Sequence, residues 1–372
     1  MQAPTVLPRH PLKARAMPEA AVTPSLFPGA VLEAFMARAL MRTGLPAADA
    51  AGVAALMLEA DLVGADAHGI FRLPQYVRRL EAGGVNRTPA ITVDRTGPGT
   101  ALVDGDNGMG HLVMARAAQT AIDLARECGV AWVGTKRSNH AGPASIYAAM
   151  PVAAGMISIY SAVASANHMA PWGGRDLLLG TNPLAIGIPA GAEAPVILDI
   201  ATTVVSYGTI KSYALQGLEL AQGWMIDRQT GAPLTDPART AEGVLLPIGG
   251  YKGAGLALAL GLLAGPLNGA AIGGDVVDFN ADQASEANTG QFIVALDIAR
   301  FVDPATFAAA VDRHVRELRG SALLPGVAAI RLPGQERARR RAQRSAEDVP
   351  LPAAVLAALN ALGDRLGIGG VA

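Results

Sequence analysis

From Gly253 to Gly274 the chain carries no charged side chain. A run this apolar is at home in a bilayer or in a packed interior, because apolar surface left in water costs about 25 cal/mol per Å². About 20 residues are enough to span a membrane. Here Pro266, Asn268 and five interior glycines argue against a spanning helix. The segment is expected to be a buried core helix, apolar all round. Such a helix needs a large core around it. The chain has 372 residues, 51% of them hydrophobic and only 16% charged. That balance excludes general disorder, which needs low hydrophobicity and high net charge.

The rest of the chain reads as helical ends around a strand-rich middle. Val31, Leu32, Phe35, Met36, Ala39 and Leu40 follow a helical period, and a second helix begins near Pro46. Short β patterns follow at Ile91–Asp94, Thr100–Asp104, Val130–Gly134, Met156–Tyr160, Leu184–Ile188, Pro195–Ile200 and Phe292–Asp297. An amphipathic helix over Met114–Cys128 stops at Gly129. Helical patterns return at Thr306–Leu318 and Leu351–Leu366. The expected fold class is α+β, without a Rossmann domain, because no G-x-G-x-x-G lies between a strand and a helix. Residues 1–26 hold no apolar run of the secretory kind and are expected to be a disordered extension.

Five segments carry the polar groups that chemistry needs. In Asp66–Tyr76, His68, Arg72 and Tyr76 stand four apart, and on a continuous helix they would share one face. They supply a proton donor/acceptor, a carboxylate fork and a hydroxyl. A surface arginine and a capping histidine are the plainer reading, and Gly69 and Pro74 count against one helix. His140, in Ser138-Asn-His-Ala-Gly, follows a strand and suits general acid/base work. A histidine satisfied by backbone is the alternative. Lys252 opens the uncharged segment after Gly249 and Gly250, a composition that suits an anion at a helix N-terminus. The segments Ala170–Asp176 with Leu179–Pro189, and Asp199 before Ala201-Thr-Thr, complete the set.

Other classes fit less well. One cysteine, Cys128, excludes an internal disulfide and a cysteine-based zinc site. It is compatible with a cytoplasmic location. The absence of H-x-x-H and H-E-x-x-H leaves a histidine-based metal hydrolase without a motif. Thirty basic against thirty-one acidic residues give a net charge of −1, with no general pull toward nucleic acid or anionic membrane. The run Arg337–Arg344 is basic, yet lacks stacking aromatics and reads as a solvated helix face. His10, His111 and His314 read as structural, and His168 as a possible pocket residue.

Taken in order, seven pieces resemble one family. They are A-H-G-I-F-R-L-P-Q-Y, S-N-H-A-G, A-P-W-G-G-R, L-G-T-N-P-L-A-I-G-I-P, D-I-A-T-T-V-V, G-G-Y-K-G-A-G-L and L-P-G-Q, spread over about residues 28–345. They resemble the malate/L-lactate dehydrogenases that are unrelated to the Rossmann enzymes, a group that includes ureidoglycolate and sulfolactate dehydrogenases, diketogulonate reductase and piperideine-carboxylate reductase. The resemblance implies NAD- or NADP-dependent interconversion of a small 2-hydroxy acid and its 2-oxo acid, without metal. It implies His140 and His68 as catalytic residues, with His140 favoured as proton donor. Arg72 and Tyr76 match substrate positions. Ser165, Asp199, Ile200, Ala201, Lys252, Pro333, Gly334 and Gln335 match cofactor contacts. It also implies a homodimer and a mainly antiparallel cofactor-binding sheet. The domains are then 27–88 with 331–372 as a helical unit, and 89–330 as the strand-rich, cofactor-binding unit. Ala67 departs from the family's usual serine, which removes one hydroxyl. That change keeps open a non-catalytic or altered-specificity paralogue that binds the same cofactor.

Overall fold

The structure, a computed structural model, describes residues 24–371. Strand β1 (Ser25–Phe27) leads into helices α1 (Gly29–Arg42) and α2 (Ala47–Leu62), then α3 (Leu73–Ala82). The expected extension over 1–26 lies mostly outside the described residues. Its last part is corrected, because Ser25 and Leu26 belong to β1.

The middle alternates strands and helices. β2 (Thr92–Gly97) and β3 (Thr100–Asp104) precede α4 (Gly110–Cys128), β4 (Val130–Ser138), α5 (Ala144–Ala153) and β5 (Met156–Ala162). Next come β6 (Asn167–Met169), β7 (Leu179–Gly180), β8 (Leu184–Ile188), β9 (Val196–Ile200) and α6 (Tyr207–Leu215). β10 (Met225–Asp227), β11 (Gly243–Leu245), α7 (Tyr251–Ala264), β12 (Thr289–Asp297) and α8 (Pro304–Arg319) follow. The chain closes with α9 (Gln335–Glu347), β13 (Val349–Leu351) and α10 (Ala353–Leu366).

The main sheet has seven strands in the order β2-β3-β4-β12-β5-β8-β9. Only β3 and β4 run parallel, joined through α4; every other pairing is antiparallel. This is the mainly antiparallel sheet expected, and a parallel dinucleotide-binding sheet is excluded. α4 and α5 cover one face through Met114, Ala118, Ile122, Tyr147 and Ala148. α7 covers the other, where Leu260 and Ala264 meet Phe292 and Val294.

A second core joins the two chain ends. Leu32, Phe35, Met36, Val53, Met57, Val77 and Leu80 pack with Val349, Leu351, Leu359 and Leu362. β1 pairs with β13 in the register Ser25↔Leu351, which ties the first described strand to the C-terminal helices.

The uncharged segment is not one helix buried on all sides. α7 stops at Ala264, and a turn follows at Pro266–Asn268. Gly253, Ala254, Ala257, Leu260, Gly261 and Ala264 form its buried stripe, whereas Leu258 and Leu262 remain about half exposed, at 47% and 48%. A helix laid on one face of a sheet can bury only the stripe that touches it. Among the described residues, no helix is long and apolar enough to cross a membrane.

The basic run also differs from a purely solvated face. α9 has no buried residue, yet it docks along α2 and the loop after it. Arg341 pairs with Glu59 at 2.7 Å, and Arg344 reaches Asp66 and the Asp61 carbonyl.

Candidate active site

The segment carrying His68, Arg72 and Tyr76 is not one helix. It forms two short 3-10 turns, Asp66–His68 and Ile70–Arg72, before α3 begins. The break falls at Gly69. A Cβ there would lie 1.9 Å from Asp61 Oδ1, so only glycine fits above that carboxylate. The Ile70 amide donates to Asp61 Oδ2 at 2.8 Å. Burial pushes the Asp61 carboxyl up to about 8. The turn therefore rests on an acid that holds its proton near neutrality.

This folding brings His68 to His140, which follows β4. The two imidazoles stack at 5.3 Å, only 8° from parallel. His140 also stacks on Phe279 at 5.0 Å. Its Nδ1 lies 2.6 Å from the Tyr76 hydroxyl. Burial first, then the Arg72 charge, lowers His68 to about 4. Burial, His68 and Arg72 hold His140 well below its ordinary value. A third histidine, His111 in the first turn of α4, is fully buried and meets the Tyr76 ring edge-on at 5.3 Å.

Arg72 is held by its own segment. Its Nε donates to the Ala67 carbonyl and Nη1 to Gln75 Oε1, both at 2.8 Å. The guanidinium lies 5.3 Å from the Phe279 ring centre. Gln75 in turn donates to the Phe279 carbonyl. Buried Arg79 clamps the same loop by donating to the carbonyls of Asp282 and Ser285.

Two cavities meet at this point. The smaller, about 150 Å³, is lined by His68, His140, Ser165, His168, Tyr207 and Phe279, among others. The larger, about 740 Å³, runs past Asp199, Ile200, Ala201, Thr209 and Arg337. Ala67, His68, Gly142, Ser206 and Gly208 line both. The arrangement is a small chamber beside a larger cleft, with His68 where the two join and His140 stacked on it inside the chamber. Among the described residues, no cluster of histidine, cysteine or acidic side chains can hold a metal ion.

The expected residues divide accordingly. His68, His140 and Ser165 line the chamber, and Asp199, Ile200 and Ala201 line the cleft. Tyr76 is buried behind His140 and does not line either cavity. Arg72 also stands behind the lining, beside Phe279. Lys252 is exposed and lines neither cavity, although Ile248 just before it lines the cleft. Gly249 and Gly250, with φ of +60° and +65°, turn the chain so that α7 starts beyond the cleft wall. Pro333, Gly334 and Gln335 also lie off the lining. Gly334 sits against β9, where a Cβ would come 2.9 Å from the Ile197 nitrogen. Gln335 Oε1 accepts from the Leu332 amide.

Sequence reasoning missed Phe279, Tyr207 and Arg337. Nothing local marks the two aromatics. Arg337 sits two residues after Gln335, and its signal was present but merged with the basic run. It pairs with Asp199 at 3.1 Å, while the same carboxylate accepts from the Ser145 amide.

The sequence profile of the malate/L-lactate dehydrogenase family matches residues 27–360. The chain belongs to that family. It is 35% identical to a malate dehydrogenase of Pyrococcus horikoshii over 347 residues, covering 91% of this chain and 95% of that one. It is 40% identical to an L-sulfolactate dehydrogenase of Methanothermobacter thermautotrophicus over 276 residues, 74% of this chain and 80% of that one. The solved structure of the Pyrococcus horikoshii malate dehydrogenase superposes with a TM-score of 0.85, at 32% identity, over 93% of this chain and 97% of that one. The family's non-Rossmann architecture and the antiparallel sheet agree.

Proposed function

We propose that this member of the malate/L-lactate dehydrogenase family interconverts a small 2-hydroxy acid and its 2-oxo acid with NAD or NADP, and that His140 handles the proton. The observation that carries the reading is the stacked His68–His140 pair where a small chamber opens into a long cleft. The family match and its dehydrogenase relatives support the reaction class.

The cleft residues fit a dinucleotide. A cleft of about 740 Å³ is within the usual range for a cofactor site. Arg337 offers a cation to a phosphate, and the buried His68 Nδ1 and Ser145 Oγ have no partner among the described residues. Asp199, Ile200, Ala201 and Arg337 form the cleft wall of this reading, with Ser165 in the chamber. Pro333, Gly334 and Gln335 act through the placement of α9. Lys252 contributes from outside the wall, through charge alone. When bound, the reduced nicotinamide supplies the hydride. Arg72 attracts the substrate carboxylate to the chamber, and positioning of this kind supplies much of the rate. His140 gives its proton to the carbonyl oxygen and takes it back in oxidation. His68, packed on its face, orients it and touches the cofactor side.

In this reading residues 89–330 form the cofactor-binding unit, and 27–88 with 331–372 the helical one. The protein is a homodimer, and the half-exposed Leu258 and Leu262 of α7 are the apolar surface that a second copy covers. Its single cysteine, free and exposed, suits the cytoplasm.

The test is an absorbance assay of reduced nicotinamide with NADH or NADPH and a panel of 2-oxo acids, including pyruvate, oxaloacetate, sulfopyruvate and diketogulonate. Oxidation with one acid establishes the reading. Silence across the panel with cofactor binding retained favours a non-catalytic paralogue. Ala67→Ser, which puts a hydroxyl where both cavities meet, would then be the variant expected to gain turnover.

A further inference from the structure

The Tyr76 hydroxyl is spent inward, on His140. The two atoms that meet His140 Nδ1 are Tyr76 Oη at 2.6 Å and the Gly142 backbone nitrogen at 3.4 Å. A backbone amide can only donate, so Nδ1 is an acceptor, and the Tyr76 hydroxyl must donate to it as well. A neutral imidazole that accepts at Nδ1 carries its hydrogen on Nε2. Gly142 reaches this place through a positive φ of +81°. The titratable groups around the ring are His68, Arg72, His111 and Tyr76, and none of them is a carboxylate. Burial and these neighbours keep the imidazole neutral. The Tyr76 ring is fixed in turn by the edge of His111 and by the buried wall of α3. Burial raises the Tyr76 hydroxyl above its ordinary value, so it holds its proton at rest, and the nearby Arg72 charge offsets part of that rise.

We infer that Tyr76 is a positioning residue that holds His140 as the Nε2–H tautomer and passes a proton to Nδ1 as the Nε2 proton leaves for the substrate oxygen. This rests on the reductase reading given above. In reduction the carbonyl carbon takes the hydride, with its electron pair, and the C=O π bond opens. The oxygen forms its O–H bond as His140 Nε2–H breaks. The Tyr76 O–H breaks as Nδ1–H forms. The site is then one proton short, as a transient Tyr76 phenolate that burial disfavours and the Arg72 charge favours. A solvent proton taken up at Nε2 after product release returns the Nδ1 proton to Tyr76. Oxidation runs the same steps backward. Tyr76, which the family resemblance places with the substrate, acts here through His140.

The deciding experiment is nitrogen NMR of the wild-type protein with isotope-labelled histidine and no cofactor, the His140 signals being assigned by their loss in His140→Asn. A pyridine-type Nδ1 and a pyrrole-type Nε2 are expected, and Tyr76→Phe should mix the tautomers. A pyrrole-type Nδ1 in the wild type overturns the proposal. In single turnovers, Tyr76→Phe should slow reduction about 10- to 100-fold, within the range of general acid catalysis, with KM for the 2-oxo acid changed less than about 3-fold. A raised KM at an unchanged rate overturns it and returns Tyr76 to the substrate. The wild-type single-turnover rate in mixed light and heavy water should bow downward, as two moving protons require; a straight line removes the relay. If Tyr76→Phe does not fold, the two wild-type measurements still decide. If no 2-oxo acid is reduced, the functional reading fails, yet the spectrum still judges the tautomer.

Discussion

The Asp199 carboxylate, on β9, and the Arg337 guanidinium, on α9, meet 3.1 Å apart in the wall of the large cleft. Strand and helix are far apart in sequence, and this ion pair joins the sheet to the C-terminal helices where the cofactor is proposed to lie. It also cancels the acid. Arg337→Ala should remove a cation and leave the Asp199 carboxylate, still bonded to the Ser145 amide, without its countercharge beside a phosphate-bearing ligand. We expect cofactor Kd to rise about 10-fold, equivalent to about 1.4 kcal/mol, with kcat at saturation little changed. Asp199→Asn added to it should recover part of the loss. Unaltered affinity in Arg337→Ala, read by cofactor fluorescence, would take this pair out of the binding site.

His140 stands where chamber and donor groups converge. His140→Ala should cut kcat by about 10² to 10⁴-fold, the usual range for losing a general acid, and leave cofactor affinity within a few-fold. His68→Ala should disturb both, because His68 lines chamber and cleft alike. Wild-type turnover by His140→Ala would sink the assignment of the proton donor.

Asp61 predicts a pH dependence of stability. Its carboxyl is raised by burial from an ordinary 3.8 to about 8 in the folded protein. Above the lower value the unfolded chain has released this proton while the folded chain still holds it. The unfolded state then binds fewer protons, so stability falls as pH rises from about 4 to about 8. Asp61→Asn keeps an acceptor for the Ile70 amide and removes that slope. The variant should match the wild type near pH 4 and exceed it increasingly toward pH 8, by roughly 2–5 kcal/mol at most. Thermal melts near pH 4 and near pH 8 check this, and equal differences at both would refute it.

The half-exposed leucines of α7 predict an association. Leu258→Lys with Leu262→Lys should turn a wild-type dimer into a folded monomer in sedimentation, because buried lysines without partners are costly. A wild-type protein that is monomeric at micromolar concentration would falsify the dimer and leave the patch without an occupant.

Much of the fold was legible in the order of the residues. Short apolar, β-type runs bounded by turn residues marked each strand of the main sheet. Glycine and proline marked where they end, as Gly129 does for α4. The missing glycine fingerprint spoke against a Rossmann domain from the sequence alone. His68 was visible as a candidate from its spacing with Arg72 and Tyr76, and His140 from its place in a small-residue turn after a strand. Only the tertiary structure decided that their rings stack, that Tyr76 bonds to His140 Nδ1, and that Phe279 comes from a loop after α7 to lie against both His140 and Arg72. Local sequence sets local dihedrals and periodicity. It does not say which distant segments will meet, since that depends on how several faces are buried at once. For the same reason Lys252 was expected in the site and lies off its wall, while Arg337 was read as solvated and pairs with Asp199 within it. Two positive-φ glycines moved the first, and the docking of the C-terminal helix moved the second.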